Sequence, residues 1–115
     1  MQYMLLIHHE ADNLTAAQMA QMMPEYMSFT QDLVKSGKFK AGDRLESSAG
    51  ARTVRVRNGK TVTTDGPFAE TKEQLGGYYI VDAKDLEEAS AIAARIPGAR
   101  TGSIEIRAVA TMPSR

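Results

Sequence analysis

Residues 2–8, QYMLLIH, are apolar at consecutive positions rather than at alternate ones. A strand of that kind is covered on both faces, so it belongs in the middle of a sheet. A different rhythm follows. Met19, Met22, Met23, Tyr26, Phe29, Leu33 and Val34 recur at three- and four-residue steps, the spacing of an amphipathic helix. Thr15 and Gln18 predict a capping box at its start, and Gly37 a stop at its end. Pro24 falls inside the pattern, which predicts either a kink or two helices with Pro24 in the first turn of the second.

Phe39–Leu45 reads as a short edge strand. In RTVRVRNGKTVTT valine alternates with arginine around Asn58-Gly59, the signal of a hairpin with a type I′ turn. LGGYYIVDA is a second strand with two apolar faces. DLEEASAIAARIPG predicts a helix with Asp85 as N-cap, Glu88 closing a capping box, and Pro97-Gly98 at the end. Leu86, Ala89, Ile92, Ala93 and Ile96 are its inward residues. SIEIRAV alternates cleanly as a last strand. The order is β-α-β, an inserted hairpin, then β-α-β. Two such halves, with both helices on one side of an antiparallel sheet, give the ferredoxin-like α+β arrangement. One sheet face then lacks a cover, and a second copy of the chain is the simplest one.

Composition narrows the function classes. A length of 115 residues fits one domain, placed at 1–110 with a frayed tail at 111–115. Lys plus Arg equals Asp plus Glu at 14 each, so no overall charge draws the chain to nucleic acid or to an anionic membrane. The absence of cysteine excludes disulfides, thiolate nucleophiles and zinc–sulfur sites. The longest apolar run, YMLLI, is too short to span a bilayer, and Met1 precedes it without a basic flank or cleavage site. The expectation is a compact cytoplasmic protein.

Residues 64–79, TDGPFAETKEQLGGYY, crowd Asp65, Glu70, Lys72 and Glu73 before a buried strand. Crowded carboxylates beside a lysine shift one another's pKa values, as general acid–base chemistry requires. The plainer reading is a turn whose N–H groups Asp65 accepts, anchored by Phe68, with a solvated charged rim. Both histidines stand in HHEAD at the end of the first strand. Neighbours on a strand point to opposite faces, so His8 and His9 do not share a metal, and no metal or cofactor is expected. One of them can join Asp12, or the 65–73 loop, as a proton-transfer dyad. In the hairpin, Arg55, Arg57, Lys60 and Val62 share one face and Val54, Val56, Thr61 and Thr63 the other, with Arg57 opposite Lys60. Basic groups are too few, and without interleaved aromatics, for RNA or DNA binding. Gly76 and Gly77 do not form a phosphate loop; they suit a bend or a close backbone approach at the strand's entry.

MQYMLLIHHE, the long run from VRNGKTVTTDGPFAETKEQLGGYY to ARIPGA, and GSIEIRAV resemble the DGPF branch of the YCII-related family over nearly the whole chain. The resemblance implies a dimeric, ferredoxin-like α+β protein akin to small cofactor-free isomerases, lyases and monooxygenases. Some members are associated with dehydrochlorination of chlorinated aromatic hydroxy compounds, using a histidine on the first helix paired with an aspartate. The first helix here has no histidine, and Glu25 and Asp32 are among its few ionisable groups. It also implies a genomic neighbourhood shared with extracytoplasmic-function sigma factors. Asp65, Gly66, Pro67, Phe68, Glu70, Lys72 and Glu73 carry the branch's signature.

The leading expectation is a homodimer with a pocket for a small polar or aromatic metabolite. The 65–73 loop with Phe68 and Glu73, the His8–His9 strand end, and Tyr78 or Tyr79 would line it. Asp65, or Glu70 paired with a histidine, would be the base of an isomerisation or elimination, and Lys72 would stabilise negative charge. The alternative is a protein-interaction or regulatory module, linked to such a sigma factor, with the basic hairpin as its contact.

Overall fold

The strand predicted to lie in the middle of the sheet does so. β1 (Gln2–Glu10) pairs antiparallel with β5 (Glu73–Asp82) on one side and β6 (Ser103–Ala108) on the other. β2 (Phe39–Arg44) completes the sheet on the far edge of β5, giving the order β2-β5-β1-β6. This computed structural model describes residues 1–10 and 15–111. Asp12 and most of the predicted tail lie outside the described residues.

Alternation along β1 divides its apolar residues between two faces. Tyr3, Leu5 and Ile7 are buried under the helices α1 (Ala16–Lys35) and α2 (Leu86–Ala94), whereas Met4 and Leu6 are half-buried on the opposite face. On the helix side Leu5, Val81, Leu33 and Ile96 are almost wholly removed from water. Each such side chain stabilises the fold by roughly 1.5–3 kcal/mol. Tyr79 packs edge-on against Phe29, with ring centroids 5.1 Å apart. The order of elements and the sheet topology are those of a ferredoxin-like α+β fold.

Both ends of α1 are fixed as expected. Thr15 N donates to Gln18 Oε1 (2.8 Å) while Gln18 N donates to Thr15 Oγ1 (3.1 Å). At the other end Lys38 N reaches Leu33 O and Gly37 N reaches Val34 O, a Schellman closure that needs the positive φ of Gly37 (75°). Three expectations need correction. The helix is one continuous element through Pro24, whose missing N–H falls on an exposed turn rather than dividing the helix. Val34 and Leu86, assigned to the inward stripes, are 57% and 54% exposed, because each sits at the margin of its helix's buried arc. Glu88 does not close a box on Asp85. Its Oε1 accepts from Lys38 Nζ (2.9 Å) and Lys84 N (3.2 Å), and those partners hold its carboxyl below the usual range. Pro97-Gly98 opens a short 3-10 turn (Pro97–Arg100) after α2 has ended at Ala94.

β3 (Arg52–Arg57) and β4 (Lys60–Asp65) form a separate two-stranded sheet. Its turn is Asn58-Gly59 with φ of 52° and 74°, and its register sets Arg57 against Lys60 as expected. This hairpin stands away from the body. The Cα radius of gyration is 16.2 Å. A compact chain of this length gives about 13 Å. The molecule is 47 × 47 × 19 Å, thin enough for one helix layer on one sheet. The sheet's second face is therefore uncovered, and the hairpin exposes Val54, Val56 and Val62. No described helix is long and apolar enough to cross a membrane.

Candidate functional site

The pairing of β1 with β5 is interrupted once. Ile7 faces Gly77, but His8 faces Leu75, so Gly76 is an extra residue in β5 and makes a bulge. Beyond Ile7 the next residue on the helix side is His9, and its ring rests on Gly76. A Cβ built on Gly76 would collide with Nε2 and Cδ2 of that ring. His9 Nδ1 lies 3.2 Å from Glu10 O. A carbonyl only accepts, so this bond places the proton of the neutral ring on Nδ1 and the lone pair on Nε2.

His9 closes one end of a cleft of about 250 Å³ between the first half of α1 and the sheet. Met19, Met22, Met23, Tyr26, Ile7 and Tyr79 give it mostly apolar walls. That is near the small end of ligand pockets, roughly 300–1,000 Å³. A second hollow of about 170 Å³ adjoins it, lined by Glu10, Glu46, Ser47 and Gln74, and shares His9, Met19, Arg44 and Gly76 with the cleft.

The phenols around the cleft are held neutral. Thr30 Oγ1 donates its one proton to Tyr26 O (2.9 Å), so Tyr79 OH is the donor in its 2.8 Å bond to Thr30. Burial pushes both the Tyr79 and Tyr26 phenols up. Tyr26 OH accepts from Gly98 N at 3.1 Å. Tyr78, opposite Leu6 on the other face of the sheet, donates its OH to Asp43 Oδ2 (3.0 Å), and that bond raises its pKa. With the cleft phenols of Tyr26 and Tyr79 protonated, the His9 imidazole is the side chain of the cleft suited to accept a proton. No cluster of three or more His, Asp or Glu side chains able to hold a metal occurs among the described residues.

The expected site residues are thus dispersed. His9, Tyr78 and Tyr79 line the cleft. His8 points to the uncovered sheet face, where Nε2 meets Glu105 Oε1 at 3.1 Å. Lys72 Nζ reaches Glu10 Oε1 (3.1 Å), and Glu73 Oε1 accepts from Ser103 Oγ (2.8 Å), both beside the hollow rather than in it. Asp65, Phe68 and Glu70 line neither space. Asp65 accepts from Arg52 Nε across the hairpin (3.1 Å) instead of holding turn N–H groups, and both side chains are exposed. Phe68 is no anchor within the chain: it is 81% exposed, with the Arg55 guanidinium 5.7 Å from its ring centroid. Sequence reasoning missed Arg44 and gave no sign that Met19 and Met22 line a cleft; Tyr26 both lines the cleft and packs against the core.

The sequence profile of the YCII-related domain matches residues 1–113. The chain belongs to the YCII-related family. This YCII-related protein is 40% identical over 91 residues to an uncharacterized protein of Rhizobium meliloti (strain 1021), covering 77% of this chain and 73% of that one. Its fold is similar to that of 5-chloro-2-hydroxyhydroquinone dehydrochlorinase (TftG) from Burkholderia phenoliruptrix AC1100, solved in complex with 2,5-dihydroxybenzoquinone. That likeness has a TM-score of 0.54 at 11% identity, over 96% of this chain and 94% of the other, and concerns the fold alone.

A Gly76→Ala substitution should leave the protein folded at a cost of about 1–3 kcal/mol, since the His9 ring can swing aside. In histidine-selective NMR the His9 ring signals should move while those of His8 stay. Unmoved His9 signals would show that the ring does not rest on Gly76.

Proposed function

We propose that this protein binds a small aromatic hydroxy compound in the α1 cleft and performs cofactor-free proton transfer on it, of isomerase or lyase type. The observation that carries this reading is a ring-sized apolar cleft with the His9 imidazole at one end, its Nε2 against Gly76 and without a hydrogen-bond partner among the described residues. Nε2 takes a proton from the bound compound. The electron pair left behind either expels an anionic leaving group from the ring or is reprotonated at another carbon. The first outcome is an elimination and the second an isomerisation. The resemblance places the histidine of such a mechanism on the first helix; here the facing strand supplies it. The dihydroxybenzoquinone bound by the structural neighbour supports the ligand class. The expected test is hydrogen–deuterium exchange at the ring carbons of 1,2,4-trihydroxybenzene in heavy water. Wild type should accelerate it, and His9→Gln should lose at least about 100-fold of the acceleration while remaining folded. Equal rates in the two proteins would remove His9 from the chemistry.

The same reading includes a homodimer. The uncovered face with Met4, Leu6 and Ile80, the projecting hairpin with Val54, Val56 and Val62, and Phe68 in the loop after it expose more apolar surface than a thin monomer would be expected to leave open. Residues 65–70 of the signature loop, which line neither the cleft nor the hollow, then belong to the seam between copies. Sedimentation equilibrium should give twice the chain mass of 12.5 kDa. A monomer at tens of micromolar (on the order of ordinary assay concentrations) would contradict the dimer.

A further inference from the structure

Arg44 ends β2 and lines both the cleft and the adjoining hollow. Its Nη2 is 3.3 Å from Met19 Sδ. A thioether is a weak acceptor, and a guanidinium has five N–H donors to place. Among the described residues no carboxylate lies within 4.0 Å of Arg44. The neighbouring acids make contacts elsewhere or lie beyond ion-pairing distance: Asp43 accepts from Tyr78 OH, Glu10 pairs with Lys72, and the Glu46 side chain is more than 4.0 Å away. At Tyr26 the rise caused by burial is opposed by the Gly98 N–H bond and, to a smaller extent, by the positive charges of Arg100 and Arg44.

We infer that Arg44 is the anion handle of this cleft, and that the ligand is a ring-sized apolar body carrying a carboxylate. The planar fork of the guanidinium matches a carboxylate through two parallel N–H bonds, which a thioether cannot satisfy. With the carboxylate on Arg44, the ring lies against Met19, Met22 and Tyr79, and His9 stands beside it. The inference rests on the cleft reading above and adds the ligand's charge to it.

Titration calorimetry with 2,5-dihydroxybenzoate and with hydroquinone, which lacks the carboxylate, separates the two. Wild type should bind the carboxylate about tenfold or more tightly, a difference of about 1.4 kcal/mol. Arg44→Gln should erase that preference and leave hydroquinone binding within about twofold, and Arg44→Lys should retain part of it. Raised salt should weaken only the carboxylate. Equal binding of both probes to wild type, or an Arg44→Gln variant that weakens both alike, overturns the handle while leaving the cleft reading intact. If neither probe binds wild type, the cleft reading fails and the handle with it.

Discussion

One skipped residue in the pairing of two central strands sets up the candidate site. Where β5 bulges at Gly76, the backbone opposite His9 carries no side chain, and the imidazole occupies the space a Cβ would take. The ring is thereby held on the helix side of the sheet, with Nδ1 tied to the Glu10 carbonyl and Nε2 lying against Gly76. Without the bulge the alternation of β1 would still aim His9 toward α1, but there would be no room for the ring. The bulge also brings the end of β2 into the site, since Leu45 N donates to the carbonyl of Gly76 (2.9 Å) and Arg44 lies just before it.

α1 divides its labour along its length. Its second half supplies Phe29 and Leu33, buried against β1 and β5, and this packing holds the helix on the sheet. Its first half carries Met19 and Met22 over the end of the sheet, where they wall a cleft, while Tyr26 both lines that cleft and packs against the core. Flexible thioethers suit such a wall, because they adapt to a guest at little cost in strain. The exposed ion pairs, such as Arg52–Asp65 and Lys72–Glu10, add little to stability, so the apolar layer between helices and sheet sustains the fold.

Most of the architecture was readable from periodicity. The consecutive apolar residues of β1 and β5 marked the two central strands, and Asn58-Gly59 fixed the hairpin register. That register already pairs Arg52 with Asp65, which explains why the acid of the signature loop is satisfied far from the cleft. Strand alternation also told that His8 and His9 diverge. Three things lay beyond the sequence. The bulge depends on tertiary pairing, although two adjacent glycines hinted at a close approach. A methionine lining a cleft and one filling a core have the same helical spacing. Arg44 sits in a stretch without periodicity, and its place follows only from the pairing of β2 with β5, where it faces Gly77.

Where a small aromatic guest sits decides what this cleft is for. The most direct measurement is a methyl-detected NMR titration of hydroquinone into protein labelled at methionine and valine methyls. The cleft account predicts that Met19, Met22 and Met23 shift together and saturably, with Met27 and the hairpin residues Val54, Val56 and Val62 unmoved. Shifts confined to the hairpin valines, with the three cleft methionines silent, would contradict it.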